Sequence, residues 1–176
     1  GVFSHNNGTV MFDPAAGCFY GVYTIDVNPS TLFYNITING NAQCGAYATF
    51  ATAAGDVAAA ANDFTHIDGL ITGSFSFNND LTIGAASDGG TGIITASGTG
   101  AQMYNVASSA PRTCILAVNK ATGALTPSVG TTVLSVQAFR QIMGDFTAPS
   151  GNFRIGGSWA SNSTIFIHTA GVFSHN

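Results

Sequence analysis

Glutamate is missing from this 176-residue chain, and lysine occurs once, at Lys120. Charged residues make up only 7% of the sequence, against about 25% in ordinary soluble domains. Glu and Lys are good helix formers and the usual dressing of solvent-facing helices, so their scarcity argues against a helical protein. The four cations are Arg112, Lys120, Arg140 and Arg154, within a net charge of −4. They are too few to neutralise a phosphate backbone, and no nucleic-acid partner is expected. No apolar run reaches the roughly 18–20 residues that would span a bilayer. Cysteine is sparse as well: Cys18, Cys44 and Cys114 form an odd set without CxxC spacing, which argues against a zinc site. One disulfide with one free thiol and three buried thiols both fit that set. The chain holds no Gly-x-Ser-x-Gly elbow and, lacking Glu, none of the Glu pairs used by sandwich-fold glucanases. No enzymatic activity, metal or cofactor is expected.

What fills the sequence instead is Thr, Ser, Asn, Gly, Phe, Ile and Val, the residues of strands and turns. Apolar and polar residues alternate with period two at Val10 and Phe12, at Tyr23, Ile25 and Val27, and at Leu32, Tyr34, Ile36 and Ile38. Phe75 and Phe77 precede Asn78-Asn79-Asp80 and then Leu81-Thr82-Ile83, which predicts a hairpin. Cys114, Leu116 and Val118 interleave with Ile115 and Ala117, as in a strand buried on both faces. Residues 133–139, 152–155 and 164–168 bring the number of short strands to ten or eleven. The alanine-rich stretch 48–64 supplies one short helix near residues 56–62. Evenly spaced short strands predict a single domain over residues 1–176, all-β, folded as a two-sheet antiparallel β-sandwich of jelly-roll type with at most one short helix.

In the C-terminal third, residues 115–118 lead into Ala121-Thr122-Gly123-Ala124-Leu125 and then Val129-Gly130. Phe153-Arg154-Ile155-Gly156-Gly157 follows, and then the polar loop 158–163. This succession resembles the concanavalin A-like, laminin-G-like jelly rolls. The resemblance covers roughly the last 65 residues and implies a hairpin at the Ala-Thr-Gly element and a lectin-like or adhesive module.

The chain begins with Gly1-Val2-Phe3-Ser4-His5-Asn6 and ends with Gly171-Val172-Phe173-Ser174-His175-Asn176. One hexamer used twice points to a tandem unit, a copied terminal strand, or a strand exchanged between subunits. Val2, Phe3, His5, Val172, Phe173 and His175 are therefore the candidate assembly residues, expected to meet a neighbouring copy or each other. The leading expectation is a non-enzymatic structural or adhesive subunit of a virion or cell surface, located outside the cell or on the virion. Its partners would be other copies of itself, in an oligomer or polymer, or a surface scaffold. The alternative is a carbohydrate-binding module that uses Trp159, the one tryptophan, with Ser158 and Asn162, to bind glycans. His66-Ile67-Asp68 would place His and Asp on one side of an extended segment, while Asp13, Asp68, Asp80, Asp88 and Asp145 read as turn formers.

Overall fold

The computed structural model describes residues 4–14, 20–28, 31–40, 48–162 and 165–175. All the strand pairings among them are parallel. The chain winds as a solenoid with three faces per turn, each turn lying on the one before it. The first turn is β1 (Thr9–Phe12), β2 (Gly21–Ile25) and β3 (Leu32–Phe33), and the second is β4 (Asn35–Asn39), β5 (Ala48–Thr52) and β6 (Ala58–Ala60). The third and fourth turns are β7 (Phe64–Ile71) with β8 (Ser74–Phe77), and β9 (Leu81–Ser87) with β10 (Ile93–Ala96). Then come β11 (Gln102–Val106), β12 (Ile115–Pro127), β13 (Val133–Val136), β14 (Phe139–Thr147), β15 (Asn152–Ile155), β16 (Trp159–Ser161), β17 (Phe166–Ile167) and β18 (Val172–His175).

Register defines the faces. The first stacks β1, β4, β7, β9, β11, the end of β12, the end of β14, and β17. The second holds β2, β5 and the end of β7 above, and β13, β15 and β18 below. The third stacks β3, β6, β8, β10, the start of β12, the start of β14, and β16. Because β7, β12 and β14 each run through a corner unbroken, 15 strands join as one all-parallel sheet, and β13, β15 and β18 form a second sheet of three.

The antiparallel jelly-roll sandwich is therefore overturned. Period-two alternation says that one side of a strand faces a core, and it is the same in a sandwich and a solenoid. It carries nothing about the direction of the neighbour. Asn78-Asn79-Asp80 is a corner and not a hairpin, because β8 pairs with β6 and β10 while β9 pairs with β7 and β11. No hairpin forms at Ala121–Leu125 either; these residues lie within β12, with Gly123 at φ 76° where the strand turns the corner. The expected helix near residues 56–62 is β6, a strand. Its alanines have a packing reason. On the third face Phe33, Ala60, Phe77 and Ala96 lie in register one above another, so small residues make room for large ones.

The corner between the third and first faces explains the abundance of Asn and Asp. Asn35 Nδ2 donates to Thr9 Oγ1 at 3.2 Å, and Asn35 Oδ1 accepts from Asn62 Nδ2 at 2.9 Å. Asn79 Nδ2 donates to Asp63 Oδ1 at 2.8 Å, and the Met103 amide donates to Asp80 Oδ1 at 2.8 Å. These side chains bridge successive turns, and Asn35, Asp63 and Asp80 also accept from the Asp63, Asp80 and Met103 amides, backbone groups that a corner takes out of the ladder. Further along the same corner the role passes to Lys120. Its side chain is fully buried, and Nζ donates to the Gly98 and Gly100 carbonyls at 2.9 Å each and to Gln102 Oε1.

Candidate functional site

The interior of the last turns is built from aromatics. Phe139 comes from the third face, Phe146 from the first and Phe153 from the second, with centroids 4.7, 5.4 and 5.5 Å apart, all fully or almost fully buried. One turn later the same three faces supply Trp159, Phe166 and Phe173, in register with them. Trp159 lies 4.9 Å from Phe166 and 4.9 Å from Phe173, edge to face in each case. This second triangle has the first beneath it and no strand above it among the described residues. Phe173 is consequently 40% exposed although it is aligned with the buried Phe153. The three pairs are each 20 residues apart, from 139 to 159, 146 to 166 and 153 to 173. That spacing is the sequence signal that marks Phe139, Phe146 and Phe166, which no motif singled out.

The opposite end is built in the same way. Phe12 meets Phe33 edge to face at 6.1 Å, Val10 packs on the core, and Tyr23 stacks on Phe50 at 5.7 Å while remaining 38% exposed. Among the described residues β1 and β2 have strand partners on one side only, as do β16, β17 and β18. The two end turns are also where apolar side chains meet solvent. Of the fifteen large hydrophobics that are exposed among the described residues, nine lie there: Met11, Tyr20, Val22, Tyr23 and Leu32 at one end, and Ile165, Ile167, Val172 and Phe173 at the other. Residues such as these are usually kept off free strand edges, because an open edge is a template for further pairing.

Of the candidate assembly residues, Val2 and Phe3 lie outside the described residues. His5 stacks on the Tyr34 ring at 5.6 Å, at the corner where the third face passes into the first. Val172, Phe173 and His175 belong to β18 on the second face, and His175 Nε2 lies 2.5 Å from the Gly157 carbonyl oxygen. His5 thus sits away from the second face, on which β18 lies. Ser158 and Asn162 are exposed beside Trp159, but the indole turns inward against Phe139, Phe166 and Phe173.

The acidic side chains resolve into separate tasks. Asp145 Oδ1 accepts from the Ile165 amide at 3.1 Å, and Asp68 Oδ1 from the Gly69 amide at 2.8 Å. Burial first and the Asp68 charge second hold Asp88 above the usual carboxylate range. His66 is fully buried with Nε2 2.7 Å from the Gly69 carbonyl oxygen, and burial lowers its pKa to about 4. The intervening Ile67 sits at a register shift, so His66 faces the core while Asp68 stays partly exposed at the corner. Among the described residues no three His, Cys or Asp side chains gather as a metal site. Cys114 is a buried free thiol whose Sγ lies 3.2 Å from the Gly89 carbonyl oxygen; Cys18 and Cys44 lie outside the described residues. No helix among the described residues is long and apolar enough to cross a membrane. No protein-family model matches this chain, nor does any curated protein or solved structure.

Proposed function

We propose that this protein is a non-enzymatic structural or adhesive subunit of a virion or cell surface, assembling through strand edges and terminal segments. The observation that carries the reading is the state of the two end turns. Among the described residues, each presents parallel strand edges beside an apolar layer with no strand over it, while the turns between them are closed by their neighbours. Solenoids are quasi-one-dimensional, and their terminal turns normally need a polar cap. An end that is apolar and open is suited to receiving another strand layer, with main-chain hydrogen bonds supplying affinity and the aromatic layer supplying buried area. A glycan-binding reading draws no support from Trp159, whose ring packs among phenylalanines.

The test is light scattering of the purified chain over a wide range of concentration, with electron microscopy of the same samples. Concentration-dependent association that is lost in Phe173→Asp supports the reading. A chain that stays monomeric throughout overturns it.

A further inference from the structure

The two ends differ in charge. Residues 1–88 hold seven Asp and no Lys or Arg, whereas residues 89–176 hold Arg112, Lys120, Arg140, Arg154 and the single Asp145. The formal charges are −7 and +3, within a net charge of −4. In a globular fold such a split along the sequence scatters over the surface. In a solenoid, sequence order is axial order, so the molecule has an acidic pole at the β1 end and a basic pole at the β18 end. Asp13 and Asp26 are exposed at the two corners that flank the second face in the first turn. Arg154 is exposed on that same face, and Arg140 on the third, each one turn in from the other end.

We infer that the open β18 end receives the β1 end of a second copy of this chain, head to tail and with the strands parallel. The inference rests on the assembly reading above and adds the partner and its polarity. Three observations carry it. Opposite poles attract, whereas two like ends brought together would oppose Asp13 and Asp26 to the same residues of the other copy, or Arg140 and Arg154 to theirs. With turns about 4.8 Å apart, Arg154 and the incoming Asp13 and Asp26 would be separated axially by about 10 Å, which is within the Debye length at 0.1 M salt. A parallel solenoid also has direction, so only unlike ends continue its ladders: β1 would lie on β17 and β2 on β18. Finally, the face cycle is in phase. β18 lies on the second face and His5 at the end of the third, so the incoming copy takes up the winding at the next face. Such a contact is heterologous and does not close on itself, so the product is a filament.

The test uses two variants at outward-facing, exposed positions where folding should be unaffected: Val172→Asp at one end and Val22→Asp at the other, 63% and 67% exposed. Circular dichroism confirms the fold of each. Head-to-tail association requires both ends, so each variant alone should be monomeric, with self-association weakened by at least about tenfold. An equimolar mixture should give a dimer and nothing longer, because one intact end of each kind remains. Raising the salt should weaken filament formation by the parent chain. Dimers formed by either variant alone would mean like ends meet; that result overturns the head-to-tail inference while leaving assembly through the ends intact. A parent chain that never associates overturns both.

Discussion

Lys120 is the residue whose removal the fold should tolerate least well for its size. It is the only lysine, its side chain is fully buried, and among the described residues three uncharged oxygens, not a carboxylate, hold the ammonium. Burial pushes its pKa below the usual lysine value. Lys120→Met keeps the stem and removes the donors. The Gly98 carbonyl and Gln102 Oε1 then lose their partner in a buried setting, at about 1–3 kcal/mol each, while the Gly100 carbonyl lies at an exposed residue and recovers water. Against this, a buried cation no longer has to be desolvated. The net expectation is a loss of about 2–4 kcal/mol, read as a lower urea midpoint at unchanged slope. Acylation by an amine-reactive ester gives a second reading. The ε-amine of the native parent should react far more slowly than the α-amine and reach full reactivity only when the chain unfolds. Destabilisation below about 1 kcal/mol, or rapid acylation of the native ε-amine, would show that Lys120 does not staple the corner.

Three further outcomes test the core. Phe146→Ala removes a fully buried ring between Phe139, Phe153 and Tyr104, and should cost about 3–5 kcal/mol in equilibrium denaturation. His66 titrates at about 4 folded and 6.5 unfolded, so the unfolded chain binds the proton first as the pH falls. Stability should therefore be full above pH 6.5 and fall as the pH drops towards 4, by up to about 3 kcal/mol, and His66→Leu should lose most of that dependence. Gly90 has φ 124°, and a Cβ there would lie 2.1 Å from the Ile71 carbonyl oxygen, so Gly90→Ala should fail to reach the native circular dichroism spectrum or melt well below the parent.

Strand positions were legible in the sequence, and their pairing was not. Ile36, Ile38, Phe75, Phe77, Leu116 and Val118 point into the core as alternation requires. Leu32 was placed on the same side as Ile36, yet it is 41% exposed while Phe33 is buried. The chain turns a corner at Tyr34 between β3 and β4, and a corner resets the phase of the alternation. Turn length hid the repeat itself. Successive first-face positions are separated by as few as 17 residues, from Phe64 to Leu81, and as many as 28, from Ile36 to Phe64. Only the last two turns keep a constant spacing, and there the aromatic triangles appear. The terminal hexamer drew attention to the ends, where the open edges lie, but the aromatic layer at the β18 end is completed by Trp159 and Phe166 from outside it.

The sparse charge has a structural reading once the fold is known. Strand edges are ordinarily protected by charged side chains, Lys above all. Here Lys120 is spent inside a corner, Asp145 caps the Ile165 amide, and Arg140 and Arg154 stand one turn back from the open end. The last turn, β16 to β18, contains no Asp, Lys or Arg at all. An edge stripped of charge and lined with Trp159, Phe166, Phe173 and Val172 discriminates poorly by local contacts, since any apolar strand layer would fit it. In the proposed head-to-tail assembly, the charge that discriminates is spread along the axis and would act on the incoming copy as a whole, before contact. Specificity of approach and affinity of contact are thus carried by different parts of the chain, and salt should affect the rate of association more than the rate of dissociation.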